Sequence, residues 1–324
     1  MGLRVLYLST KDIEEVSLSM AEIIDVVEKA FREKGEGRVE MPPKPGIHPK
    51  ADAFIHAMPA FIPKMKAAGM KWVSGFPNNH RYNLPYIMGV LILNDLGTGV
   101  PICIMNAAWV TAKRTGAATA VAAKYLAKKD SRVFGILGCG VQGRHNLEAV
   151  FTAFKGLEEV RAYDISKTNL ERYVLDMTKK YGLHIVPVDS PKKAVKGSDI
   201  VVTAGPILKH PKPAIEATWF DDGSFACPLD FDSYWKPQAM HSMHKFCTDD
   251  LEQLLYYQSV GYFCDIPNVH ADLGELVTGK KLGRENDFER TMSMNLGLAI
   301  EDMAAAKRIY EKAKSKGIGT WLKL

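Results

Sequence analysis

No apolar run in this chain is long enough to span a bilayer. The opening Met1-Gly2-Leu3-Arg4-Val5-Leu6-Tyr7-Leu8 is too short an apolar stretch for a secretory leader, so a cytoplasmic protein is expected. Cysteine is scarce: Cys103, Cys139, Cys227, Cys247 and Cys264 lie far apart with no Cys-x-x-Cys spacing. That argues for reduced thiols and against a disulfide framework or a zinc site. His241-x-x-His244 lacks the surrounding ligands a metal needs, and no metal is expected. Blocks of one charge are absent too. The net charge is only +5, and pairs such as Lys192-Lys193 and Lys280-Lys281 read as solvated faces, not as a nucleic-acid footprint. What remains is an ordinary globular composition, with 47% hydrophobic and 24% charged residues in a chain long enough for two domains.

The most informative stretch is Val133-Phe134-Gly135-Ile136-Leu137-Gly138-Cys139-Gly140-Val141-Gln142-Gly143. An apolar strand ends in Gly-x-Gly-x-x-Gly, and a helical pattern follows over 144–154. Gly138 permits the tight turn, Gly140 lets backbone approach a pyrophosphate, and Gly143 allows close helix–strand packing. Val141 and Gln142 stand in the turn before this helix, whose N-terminal free N–H groups and positive dipole suit phosphates. The next strand pattern ends at Asp164, about twenty residues past Gly143, where a carboxylate can accept both hydroxyls of an adenosine ribose. Asp164 would repel a 2′-phosphate, which points to NAD rather than NADP. The alternative is an aspartate that only caps the next helix.

Along the chain, a strand at Val5–Leu8 precedes an amphipathic helix that Ser17–Met20 leads into and that runs to about Lys34. Strand-like runs follow at 53–58, 69–74, 86–94 and 100–105, predicting a mostly antiparallel sheet. After an alanine-rich helix over 111–127, strands and helices alternate at 132–137, 144–154, 159–163, 168–181, 184–187, 191–196 and 199–203. Further strands are expected at 224–227, 245–248 and 262–264, and a long helix from about Met294 to Lys316. The fold class is α/β: a doubly wound, Rossmann-type NAD domain over 114–303 and an α+β sheet domain over 1–113, to which 304–324 returns. Substrate is expected in the cleft between them, where Trp72, Phe76 and Tyr234 could line an apolar pocket.

The residues resemble one family along nearly the whole length, the ornithine cyclodeaminase/mu-crystallin family. The matching marks are Met58-Pro59-Ala60, Gly69-Met70-Lys71-Trp72-Val73, Thr111-Ala112-Lys113-Arg114-Thr115-Gly116-Ala117 and the glycine turn. With them come Asp164, Ser198-Asp199-Ile200-Val201-Val202-Thr203, Asp272-Leu273-Gly274-Glu275-Leu276 and Ala299-Ile300-Glu301-Asp302. The resemblance implies an NAD(P) domain, a dimerising sheet domain and hence a homodimer. It also implies one of three activities: an amino-acid dehydrogenase or ketimine reductase, a cyclodeaminase that uses NAD catalytically and releases ammonia, or a non-catalytic binding protein.

It further implies site residues. Lys44, Lys71 and Arg114 fall where the family grips a substrate carboxylate, a task suited to a bidentate guanidinium and a lysine point charge. Lys71 is also a candidate proton carrier. Thr115, Thr203-Ala204-Gly205 and Gly297 fall where the family lines the dinucleotide. Three positions depart from the pattern. His56 stands where cyclodeaminases carry Glu and a dehydrogenase branch carries Arg; it is either a proton carrier near neutral pH or a ring that shapes the pocket. Ala226 fills the slot of the cyclodeaminase catalytic Asp, leaving Asp230 or Asp232 as a displaced carboxylate, with Asp230 preferred. Asn295 replaces a Ser near the nicotinamide and could orient substrate or cofactor through its amide. Loss of both acids turns the reading toward an NAD-dependent oxidoreductase acting on a C–N bond of a small α-amino acid or its imine.

Overall fold

The computed structural model describes residues 2–263 and 265–324. It opens with β1 (Arg4–Leu8) and two helices, α1 (Thr10–Val16) and α2 (Met20–Gly35). Each helix starts in a capping box, Ser9 with Asp12 and Ser19 with Glu22. The sequence pattern assigns no element to α1, whose seven residues bury only Ile13 and Val16, too few to show a period. There follow β2 (Gly46–Ile47), β3 (Phe54–Ile62), β4 (Ala67–Gly75), β5 (Ile87–Asn94), β6 (Pro101–Asn106) and helix α3 (Ala107–Leu126).

Next come β7 (Val133–Leu137), α4 (Val141–Ala153), β8 (Glu159–Tyr163), α5 (Lys167–Tyr181), β9 (His184–Pro187), α6 (Pro191–Val195) and β10 (Ile200–Thr203). After these lie β11 (Phe225–Pro228), α7 (Pro237–His241), β12 (Lys245–Thr248), α8 (Leu251–Ser259), β13 (Ala271–Asp272), α9 (Leu273–Thr278) and β14 (Thr291–Met294). The chain closes with α10 (Ala299–Lys316) and β15 (Thr320–Lys323). Two elements correct the sequence reading. The long helix does not begin at Met294, which ends β14; Gly297 at φ +80° breaks the chain before α10. The strand expected at 262–264 is irregular at Tyr262 and Phe263, which pack into an aromatic group with Phe231 and Tyr257; Cys264 lies outside the described residues.

The chain divides into two units, Met1–Arg114 with Leu298–Leu324, and Thr115–Gly297. The first is a seven-stranded sheet in the order β15-β1-β6-β5-β4-β3-β2. Its pairs are antiparallel except β1–β6. One face buries Leu8, Met105, Leu91, Lys71 and Met58, and α10 lies across β3, β4 and β5 on its small residues Ala304–Ala306. The other face carries Tyr7, Ile104, Ile92, Met70, Trp72 and Val90, all partly or largely exposed.

The second unit is an eight-stranded, wholly parallel sheet in the order β13-β12-β14-β11-β10-β7-β8-β9. Strand order reverses between β7 and β10, which opens a crevice at their carboxyl ends, the place where open α/β sheets bind ligands. Among the described residues no helix is long and apolar enough to cross a membrane.

Candidate active site

The carboxyl ends of β7, β8 and β10 meet around the glycine turn. Gly138 takes φ +102°, and a Cβ there would stand 2.6 Å from the Ala204 carbonyl oxygen in the loop after β10. Gly143 has no room either: a Cβ would fall 2.1 Å from the Gly138 carbonyl. Gly140, by contrast, is exposed, with nothing within 4 Å of the missing Cβ, so a ligand can come close to the backbone. Among the described residues no side chain caps the start of α4, and its first N–H groups have no intrahelical acceptor. Asp164 binds this turn to the next: its Oδ2 accepts the Cys139 amide at 2.8 Å and its Oδ1 the Ser166 amide at 2.7 Å. Both held oxygens keep a lone pair for a ribose hydroxyl. Cys139 is buried in the turn with its thiol pushed up to about 12 by burial, which makes it an inert spacer.

One strand further, Thr203 donates to Asp230 Oδ1 at 2.6 Å and accepts from the Trp235 indole at 3.0 Å. The Gly205 amide donates to Asp230 Oδ2 at 2.8 Å. Asp230 is fully buried, and burial pushes it up to about 7 against the pull of these donors. Its carboxyl braces the end of β10; Asp232 is also raised by burial. Tyr234 packs beside Asp230 over Gly205, where a Cβ would stand 2.5 Å from its ring.

Asn295, 4% exposed, follows β14. Its Oδ1 accepts the Ser293 hydroxyl at 2.7 Å, while its buried Nδ2 has no hydrogen-bond partner among the described residues. An amide donor withdrawn from water and left unpaired costs roughly 1–3 kcal/mol, a cost that an acceptor on a ligand would offset. Gly297 is clamped next to it: its amide donates to Asp249 Oδ2 at 2.6 Å, and its carbonyl accepts from Gln253 Nε2 at 3.3 Å.

In the sheet unit the cations gather. Lys71 on β4 is 1% exposed and lies 2.6 Å from Asp302 Oδ2. Arg114 on α3 reaches Glu301 Oε2 with Nη1 at 2.6 Å and Asp302 Oδ1 with Nε at 3.1 Å. Both acids come from the first turn of α10, where Glu301 also accepts the Leu298 amide at 3.1 Å. Lys44, 8% exposed in the segment before β2, adds its positive field to this cluster. Burial is the largest force on Lys71, and with help from Arg114 and Lys44 it lowers the ammonium to about 7 against the pull of Asp302.

His56 shares the Lys71 face, since β3 and β4 pair His56 with Val73 and Met58 with Lys71. Its ring stacks on Phe54 at 4.3 Å and meets His48 edge-on at 6.1 Å. Two glycines make room for the stack: a Cβ on Gly46 would strike the His56 ring at 2.1 Å, and one on Gly75 the Phe54 ring at 2.4 Å. Burial, then Lys44, His48 and Lys71, push His56 down to about 3, so it is a neutral hydrogen-bonding ring at pH 7. Trp72 points to the opposite face, 42% exposed, away from Lys71.

Sequence reasoning assigned no role to Glu301 or Asp302, although both stood in a quoted motif. Acids in a first helical turn ordinarily read as caps, and nothing local reveals cations on β4 and α3. Asp249 and Gln253 were missed as well, and their i, i+4 spacing on a helix start was the only signal.

A parallel sheet with an open glycine turn at its switch point in one unit, and a buried cation–carboxylate cluster in the other, define a class: two-unit α/β proteins built on a dinucleotide fold. Within it, a profile of the ornithine cyclodeaminase/mu-crystallin family matches residues 5–317, and the chain belongs to that family. It is 36% identical over 318 residues to the nodulation efficiency protein NfeD of Rhizobium meliloti, covering 98% of each chain. Two solved structures superpose over nearly the whole length. The Thermococcus litoralis Delta(1)-pyrroline-2-carboxylate reductase in complex with NADH and L-proline does so with TM-score 0.89 and 35% identity, covering 98% of this chain and 99% of that one. An archaeal alanine dehydrogenase dimer with bound NAD gives TM-score 0.88 and 35% identity, covering 99% and 100%.

Proposed function

We propose that the protein is an NAD-dependent oxidoreductase acting on the C–N bond of a small α-amino acid or its imine. The observation that carries this reading is the buried Lys71–Arg114–Glu301–Asp302 cluster, in which a lysine near neutrality lies beside a permanent guanidinium. The relatives named for a pyrroline-2-carboxylate reductase and an alanine dehydrogenase act on substrates of this class and support it.

The residues fit a dinucleotide. Gly140 leaves space for a pyrophosphate at the start of α4, Val141, Gln142 and Gly143 offer amides, and Asp164 offers a carboxylate that favours ribose hydroxyls over a 2′-phosphate. Thr115, Thr203, Ala204, Gly205 and Gly297 complete the lining in this reading. NAD, when bound, supplies the hydride acceptor or donor for the α-carbon.

Everything else falls to the chain. Arg114 and Lys71 bind the substrate carboxylate, with Lys44 adding positive potential, and so fix the α-carbon in one orientation. Lys71 exchanges the proton of the substrate nitrogen, because a group titrating near 7 is matched to the task. His56 shapes the pocket as a neutral ring stacked on Phe54. The unpaired amide of Asn295 donates to substrate or cofactor. Asp230 acts by holding Thr203 and Gly205. The cyclodeaminase reading is disfavoured because Ala226 puts no acid on β11 and Asp230 is fully buried, its carboxyl engaged in bracing Thr203 and Gly205. We further propose a homodimer joined through the outer face of the seven-stranded sheet.

The test follows NADH and ammonia together after mixing the protein with NAD and an amino-acid panel, and NADH consumption with cyclic imine carboxylates. NADH formed in step with ammonia, or consumed with an imine, bears the proposal out. Ammonia without NADH would replace it with a cyclodeaminase, and silence in every channel would replace it with a binding protein.

A further inference from the structure

Lys71 and Arg114 do not stand alone, and the two acids serve them unequally. Glu301 is tied at one oxygen to Arg114 and at the other to the Leu298 amide that starts α10. Asp302 gives one oxygen to Lys71 at 2.6 Å and the other to Arg114 at 3.1 Å, and it is wholly buried. Arginine keeps its proton at any accessible pH, so a proton that leaves this cation pair leaves from Lys71.

The charged and titratable groups facing Lys71 come from every element around it: His56 from β3, Lys44 from the segment before β2, Arg114 from α3, and Glu301 and Asp302 from α10. Two of these cations push the Lys71 proton off. Asp302 is the group in direct contact that holds it on, and its carboxylate also fixes where the ammonium points.

We propose that Asp302 is the positioning residue of the reaction: by its contact with Lys71 it aims the Nζ atom and sets the pH at which Lys71 trades a proton with the substrate nitrogen. The inference rests on the reading of Lys71 as the proton carrier. In amine oxidation, neutral Lys71 takes a proton from the substrate ammonium. The substrate N–H bond breaks, an Nζ–H bond forms, and the freed electron pair stays on the substrate nitrogen. The new lysine cation is stabilised at once by Asp302. In the imine-reducing direction the same proton returns to nitrogen.

The experiment reads Lys71 directly, in protein carrying 13C at the lysine ε-carbons, with the resonance assigned by its loss in Lys71→Arg. Removing the negative charge in Asp302→Asn moves the Lys71 midpoint down by about one pH unit or more. Glu301→Gln, which leaves the Lys71 contact in place, moves it by less. In active enzyme the rising limb of kcat/KM for amine oxidation shifts to lower pH by the same amount in Asp302→Asn. An unchanged midpoint in folded Asp302→Asn overturns the proposal. Should that variant fail to fold, Asp302→Glu keeps the charge and displaces it. The expected result there is a midpoint near that of the parent with kcat reduced about tenfold or more and KM little changed, and parental kcat would overturn the proposal. The titration needs no substrate, so a protein with no NAD-linked turnover sinks the proposed function while leaving this test intact.

Discussion

At the scale of single residues the energetics turn on charges held away from water. Taking one partner from a buried pair strands the other, at a cost of about 3–5 kcal/mol. Glu301→Ala is therefore expected to lower the thermal midpoint sharply, read by differential scanning calorimetry, more than any exposed acid such as Asp25, whose pair with Lys29 is open to solvent. If Arg114 grips the substrate carboxylate as proposed, Arg114→Ala should cost about 2–5 kcal/mol in kcat/KM, seen in steady-state kinetics. His56 predicts a pH effect on stability. Its folded value of about 3 lies below the free value of 6.5. Between those two values the unfolded chain holds a proton that the folded chain refuses, so stability falls as the pH drops below 6.5. The slope is at most about 1.4 kcal/mol per pH unit. Urea melts of His56→Gln should lack that slope. The cations of this cluster could be named from motifs, but their partners could not. Arg114 and Glu301 are 187 positions apart, and only folding brings such pairs together.

At the scale of elements, three glycines of one motif do three different jobs, and substitution should separate them. Gly143→Ala meets the Gly138 carbonyl and should destabilise the protein, whereas Gly140→Ala meets nothing and sits at an ordinary φ of −78°. Chemical denaturation should find the Gly140 variant within about 0.5 kcal/mol of the parent, with weakened NAD binding by calorimetry. Equal loss of stability in both would contradict the crowding described for Gly143 alone. The alternation of β7 through β10 was plain in sequence because a buried parallel strand is a short continuous apolar run and an amphipathic helix has its own period. The failures came where length or neighbours decide. β14 went unread, and its last residue Met294 was given to the following helix, because Thr291–Met294 is four residues long and fully buried, with no alternation to read. β15 lies at the sheet edge with every residue exposed to solvent in part, and it pairs with β1, a partner more than three hundred residues away that no local pattern reports.

At the scale of the whole molecule, the outer face of the first sheet is the feature to test. Trp72 and Val90 are direct cross-strand neighbours, at 42% and 41% exposure. Apolar groups of that size, continuous with Met70, Ile92, Ile104 and Tyr7, form a patch of the kind that marks an interaction surface. Trp72→Glu with Val90→Glu should give a folded monomer by light scattering if the proposed homodimer uses this face, and an unchanged mass would place the contact elsewhere. The passage of the chain between its two units has a different consequence. One crossing, Arg114 to Thr115, lies inside the helix α3, and the other, Gly297 to Leu298, lies in the buried four-residue stretch 295–298 between β14 and α10. Neither resembles the polar, pliant linker at which domains are usually joined. Exchange of modules between genes would have to cut through a helix at one breakpoint and a packed segment at the other, in register at both. Novel specificities in such a chain are reached by changing residues where they stand, not by trading one half for another.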